Sequence, residues 1–224
     1  FSPIRGEDGG VAGIFNAVIE TTYRVIEERR AGILRDLAAR TAGATAGPEV
    51  YARAAALLDN HAADVPFCLC YVRDHDGAPL QLAAAAGSPL PVALCPPVLD
   101  PDDPHAPWPA ARALETPRGV LVEGIAVRGR HWPEPVTRAV AIPVAALQGA
   151  GAVGLLVIGV SPRLALDDTY RTFLERVAMQ LAAAVGSATS YEAERRRAEA
   201  LAAIDQAKTL FFSNVSHEFR TPLT

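Results

Sequence analysis

Gly151-Ala152-Val153-Gly154-Leu155-Leu156-Val157-Ile158-Gly159, then Ser161-Pro162-Arg163-Leu164 and Leu166-Asp167-Asp168-Thr169-Tyr170, is the stretch that decides how this chain folds. Its first part is a short apolar run bounded by glycine, the pattern of a strand buried on both faces and therefore central in its sheet. Ser161-Pro162 stops the strand. Asp167 is then a good N-cap for a helix, because its carboxylate can accept from a backbone N–H of the first turn.

Working back from that strand, Arg138 to Val144 and Gly119 to Val122 read as two more strands. Pro143 cannot donate to a ladder, so its end of the strand must lie at an edge or a bulge. Ala110 to Glu115 reads as a short helix. Residues 88–109 carry Pro89, Pro91, Pro96, Pro97, Pro101, Pro104, Pro107 and Pro109, which forbid a regular helix or a central strand and leave a long surface loop. His105 and Trp108 lie in this loop, and His131 and Trp132 in a second irregular stretch. Two such pairs can frame a ligand pocket, but tryptophans stapling loops to the core is the better reading. Further back, Phe67 to Val72 and Leu80 to Ala86 form a hairpin about Asp74-His75-Asp76-Gly77. Cys68 and Cys70 are two apart and so point to one face of their strand. They read as small core hydrophobes rather than as a metal or redox pair with Cys95.

Helices precede the sheet. Val25, Ile26, Ile33, Leu34 and Leu37 return to one helical face between Tyr23 and Ala42, with charges on the other. Ala42 to Pro48 breaks that helix, and Glu49 to Ala63 forms the next, burying Tyr51, Ala55, Leu57 and Leu58. Residues 1–22 pair as a β-hairpin around Glu7-Asp8-Gly9-Gly10.

The 224 residues, 50% hydrophobic and with a net charge of −4, suffice for one full core plus appendages. The mild acidity and the lack of a basic face argue against nucleic acid as a partner. Three cysteines form no disulfide framework and fit a reducing, cytoplasmic setting. No apolar run approaches the roughly 18 residues of a membrane span. The chain begins with Phe1 and stops inside a motif, as expected of a piece of a longer protein.

Taken together, residues 23–190 run helix, helix, two strands, loop, short helix, three strands, helix. This order, with Gly154 to Gly159 and Leu166 to Tyr170 as specific marks, resembles a GAF domain. The resemblance implies an α+β fold: an antiparallel sheet with terminal helices on one face and a loop-covered pocket on the other. The Asn-Lys-x-x-x-Phe-x-x-x-Asp-Glu signature of cyclic-nucleotide-binding members is missing, as is the context of a bilin-attaching cysteine, so the ligand stays unknown. The pattern of residues 1–22 resembles the last two strands of a PAS domain.

From Asp168 to Phe219 nothing but Gly186 interrupts a helix. Tyr170, Leu174, Val177, Leu181, Ala184, Ala188 and Tyr191 alternate by four and three, a heptad seam. Arg195-Arg196-Arg197 breaks it, and Leu201, Ile204, Phe211 and Val215 resume it out of phase. A seam this long needs a partner, and a parallel homodimer is expected.

The helix ends in Ser216-His217-Glu218-Phe219-Arg220-Thr221-Pro222-Leu223. On a helix His217 and Thr221 share a face, and a neutral imidazole near its free pKa is a competent nucleophile. These residues resemble the H-box of sensor histidine kinases and occupy residues 191–224 with the signalling helix. The resemblance implies His217 as phosphoacceptor, Glu218 as proton acceptor and Thr221 as an aid to phosphatase activity. It also implies an ATP- and magnesium-binding domain beyond this chain and a response-regulator receiver as partner. No metal site and no cofactor are expected within these residues. Two other readings stand beside it: a GAF receptor or dimerisation module without its own chemistry, and a thiol redox protein of GAF fold using Cys68, Cys70 or Cys95.

Overall fold

The computed structural model describes the backbone of residues 2–5, 11–15, 22–145 and 152–220, with side chains over 22–145 and 153–209. Two compact units divide the chain at Gly32 and Ile33. In the first, β1 (Ser2–Arg5) pairs antiparallel with β2 (Val11–Phe15), setting Ser2 opposite Phe15. The hairpin expected there is present, and its turn lies outside the described residues. Helix α1 (Thr22–Thr41) spans the division.

The second unit is built on six antiparallel strands. These are β3 (Phe67–Val72), β4 (Leu80–Gly87), β5 (Val98–Leu99), β6 (Val120–Val127), β7 (Val136–Ala145) and β8 (Ala152–Gly159), in the order β5-β4-β3-β8-β7-β6. The most apolar strand, β8, is central and pairs with β3 and β7. Its neighbour β3 is apolar for the same reason: both faces are covered. Cys68 and Cys70 point into one apolar cluster with Leu156 and Ile158. Phe67, Leu69 and Tyr71 point into the other with Leu155 and Val157.

The first cluster is the helix side. Helices α2 (Gly47–Leu58) and α4 (Asp168–Arg220) lie there, bringing Tyr51, Ala54 and Leu58 against Leu174, Val177 and Leu181, with Ile33 and Leu37 of α1 beside them. Each buried aliphatic side chain contributes about 1.5–3 kcal/mol. The second cluster is the loop side, closed by α3 (Ala110–Glu115) through Ala110 and Ala113, and by Trp108.

Several elements depart from the sequence expectation. Helix α2 stops at Leu58 and passes into a single 3₁₀ turn, Asp59–His61. The proline-rich stretch holds a 3₁₀ turn at Val92–Leu94 and the two-residue strand β5, which sits at the sheet edge where missing donors do no harm. β6 runs to Val127, past the expected end at Val122, because its pairing shifts register between Glu123 and Val127. Pro143 behaves as anticipated. It faces Leu155 on β8, while β6 pairing has already ended at Ala141, so its missing N–H leaves no gap.

The seam of α4 meets a different partner from the one expected over its first half. Tyr170, Leu174, Val177, Leu181 and Ala188 are all fully buried, yet against this chain's own sheet and α2 rather than a second helix of a dimer. A stripe of period near 3.5 packs equally well on a sheet. Past Ala188 none of the described side chains, which end at Thr209, is buried: Tyr191, Leu201 and Ile204 are exposed by 52, 68 and 65%.

Gly87 ends β4 at φ 95°, where a Cβ would stand 2.3 Å from the Pro66 carbonyl oxygen. Only glycine fits that corner. Among the described residues no helix is long and apolar enough to cross a membrane.

Candidate functional site

The loop side is where a ligand pocket was expected, and its floor is Phe67, Leu69, Tyr71, Leu155 and Val157. Trp108 lies on this floor with none of its surface exposed, its ring centroid 6.4 Å from that of Phe67. Its Nε1–H donates to the Leu94 carbonyl at 2.9 Å, and the Tyr71 hydroxyl donates to the Pro96 carbonyl at 3.0 Å. Burial pushes the Tyr71 phenol well above its ordinary pKa, so it stays a neutral donor. These two bonds, and Leu82 N–H to the Pro97 carbonyl at 2.9 Å, pin the proline-rich segment to the sheet. Trp108 is therefore a staple. His105 and His131 are both exposed, and His131 stands edge-on to Trp132 at 4.4 Å.

A shallow cleft of about 520 Å³ lies on the helix side between the end of α1 and α2, lined by Ala39, Arg40, Ala42, Ala52, Arg53 and Ala56. Its Arg53 is already committed. The guanidinium donates to the carbonyls of Arg40 (3.3 Å) and Ala42 (3.1 Å) and to Glu49 (2.5 Å), closing the C-terminal end of α1.

The three cysteines are free and do not converge. Cys68 and Cys70 are on the helix side, whereas Cys95 packs against the loop-side cluster, so the sheet stands between them. A hydrogen bond with Cys68, together with burial, holds the Cys70 thiol well above its usual pKa, and burial raises Cys95. A fully buried thiol with a raised pKa, as at Cys70, is a poor nucleophile. Among the described residues no group of three or more histidine, cysteine or acidic side chains is placed to hold a metal ion.

Polar contacts gather instead at the root of α4. Asp167 caps the helix as its sequence implied, its Oδ1 accepting from Tyr170 N–H at 2.8 Å and its carbonyl from Arg171 N–H at 2.9 Å. The buried Tyr170 hydroxyl donates to the Asp64 carbonyl and accepts from Ser161 N–H at 3.1 Å, which ties α4 to the turn before β3. Arg163 forks onto Glu134 at 2.9–3.2 Å and lies 4.4 Å over the Trp132 ring. Arg118 Nε reaches Glu175 at 3.0 Å. Across the molecule, Arg130 meets Asp59 at 2.6 Å, and Asp59 also accepts from Gly87 N–H at 2.8 Å. That backbone bond, then Arg130, lowers the Asp59 pKa.

From this root α4 continues as one helix through His217 and Glu218 to Arg220. Thr221 lies outside the described residues.

No family model matches this chain, and no curated protein does. Solved structures do. The GAF domain of a phosphoenolpyruvate-protein phosphotransferase from Coxiella burnetii is similar at 17% identity and a TM-score of 0.53, covering 74% of this chain and 98% of that one. The corresponding domain from Acinetobacter gives 15% and 0.52, covering 72% and 95%. The fold is that of a GAF domain. Free methionine-R-sulfoxide reductase from Neisseria meningitidis, solved with its substrate, has the same fold at 17% identity and 0.53, covering 80% and 98%. At these identities the likeness extends to the GAF fold alone.

Proposed function

We propose that this chain is the sensory and transmitting part of a histidine kinase, in which the GAF domain sets the state of α4 and α4 presents His217 for phosphorylation. The observation that carries this reading is the continuity of α4. It begins in the GAF core at Tyr170 and reaches, without a break, the Ser216-His217-Glu218-Phe219-Arg220 stretch that resembles an H-box. In this proposal His217 attacks the γ-phosphoryl group of ATP held with magnesium by a separate domain, Glu218 accepts the imidazole proton, and Thr221 assists the reverse hydrolysis. A receiver aspartate then takes the phosphoryl group. The bare helix from Tyr191 onward pairs with a second copy, burying Leu201 and Ile204. The hairpin at residues 1–22 is, in the same reading, the end of a PAS domain.

The reductase neighbour raises the thiol alternative, and the burial of Cys68 and Cys70 speaks against it. The test uses the chain extended through its ATP-binding domain and labelled ATP, comparing wild type with His217→Gln. An acid-labile, alkali-stable label on wild type alone is expected. Label on neither protein, both folded and binding ATP, would end the proposal.

A further inference from the structure

We infer that β6, the edge strand next to β7, is the input element of this domain, and that Arg118 and Arg163 carry its position, and that of the loop after it, to the root of α4. The inference deepens the reading of α4 as the output helix and rests on it.

β6 is the longer of the two edge strands of the six-stranded sheet, and it reaches the loop-side core. It pairs with β7 alone. Its ladder sets Glu123 opposite Arg138 and Val127 opposite Val136, so β6 carries two more residues than β7 over this interval. Gly124, at φ 81°, turns the chain inside that bulge. Bulges of this kind re-aim a strand without unpairing it. Val120 and Val127, near its two ends, are buried in the loop-side cluster with Trp108 and Val136. Whatever fills or loosens that cluster therefore acts first on β6.

The segment before β6 is tied to α4, and the loop after β6 is tied to the segment that leads into α4. Just before the start of β6, Arg118 reaches over to Glu175 at 3.0 Å, with Asp168 at 3.8 Å as a second acceptor. In the loop that leads from β6 to β7, two residues before Val136, Glu134 takes both donors of Arg163, four residues ahead of the helix cap at Asp167, and Trp132 in the same loop carries the guanidinium on its face. Apolar packing of Leu174, Val177 and Leu181 holds the body of α4 without fixing its direction. A forked arginine–carboxylate pair is directional. The two pairs thus add to the Asp167 cap and the Tyr170 hydroxyl in holding the helix root, and they link it to the segment before β6 and the loop after it.

Hydrogen exchange on the chain, without ATP, tests this independently of any chemistry at His217. A failure of His217 to label leaves its outcome unaffected. Arg118→Gln and Arg163→Gln are each expected to speed exchange of the Phe173 to Ala178 amides by about two- to fivefold, the range of exposed ion pairs. Amides of β3 and β8 should keep their wild-type rates, and Arg118→Lys should restore the α4 rates. Trp132→Leu should speed the same amides in the wild type and add nothing in Arg163→Gln. Unchanged α4 exchange in the double arginine variant overturns the inference. So does equal acceleration throughout the sheet, or a Trp132→Leu effect that simply adds to Arg163→Gln.

Discussion

One helix, α4, carries the same kind of apolar stripe along two stretches that end up in opposite environments. From Tyr170 to Ala188 the stripe is covered by the sheet and α2; from Tyr191 to Ile204 it faces water. Leucine does not separate them, since Leu174 and Leu181 lie in the first stretch and Leu201 in the second. What differs is reach: the sheet ends and the helix does not. A heptad-like spacing therefore announces that a face must be covered and leaves the partner open. In the first stretch it is the fold itself, and in the second, by the proposal above, another copy.

The largest expected difference between the two stretches is in core deletions. Leu181→Ala should cost about 2–5 kcal/mol in urea denaturation, as a buried leucine leaving a cavity. Ile204→Ala should change monomer stability by less than about 0.5 kcal/mol and register only as weaker self-association by sedimentation. Equal losses at both sites would show that the distal stretch is as buried as the proximal one.

Next comes the anchor. Tyr170→Phe removes the donor to the Asp64 carbonyl and the acceptor for Ser161 N–H, at an expected cost of about 1–3 kcal/mol by thermal unfolding. Asp167→Ala should cost about 1 kcal/mol through loss of the cap, recovered in large part by Asp167→Ser. Neither change should alter self-association.

The smallest effect is in pH. The hydrogen bond from Arg163 holds the Glu134 carboxyl below the ordinary glutamate range, so the pair stabilises at neutral pH and is lost as the pH falls through the lowered folded pKa. Exchange at the root of α4 in wild type and Glu134→Gln should therefore differ at neutral pH and converge in acid. The exposed helix beyond Ala188 should show no such convergence.

Much of the fold was legible because its signals are local. The apolar run of β8, the aspartate before α4 and the alternation that puts Cys68 and Cys70 on one face all act within a few residues. The register shift in β6 hid the second half of that strand, since Glu123-Gly124 reads as an end. The ion pairs joining Arg118 to Glu175 and Arg130 to Asp59 span 57 and 71 positions and leave no local trace. The H-box reading comes from a short motif, to which periodicity adds only that the motif is helical.

The length of α4 beyond the core has a mechanical meaning. From Ala188, the last buried residue among the described side chains, to His217 the helix rises about 43 Å at 1.5 Å per residue. Over that arm a tilt of about 5° at the core displaces the far end by roughly 4 Å, most of the 5.4 Å pitch of one turn. A rotation about the helix axis, or a shift along it, arrives undiminished but also unamplified. Pairing of the stretch from Tyr191 with a second helix would suppress the tilt and leave the other two, so in the proposed dimer the pairing would select which motions of the domain reach His217.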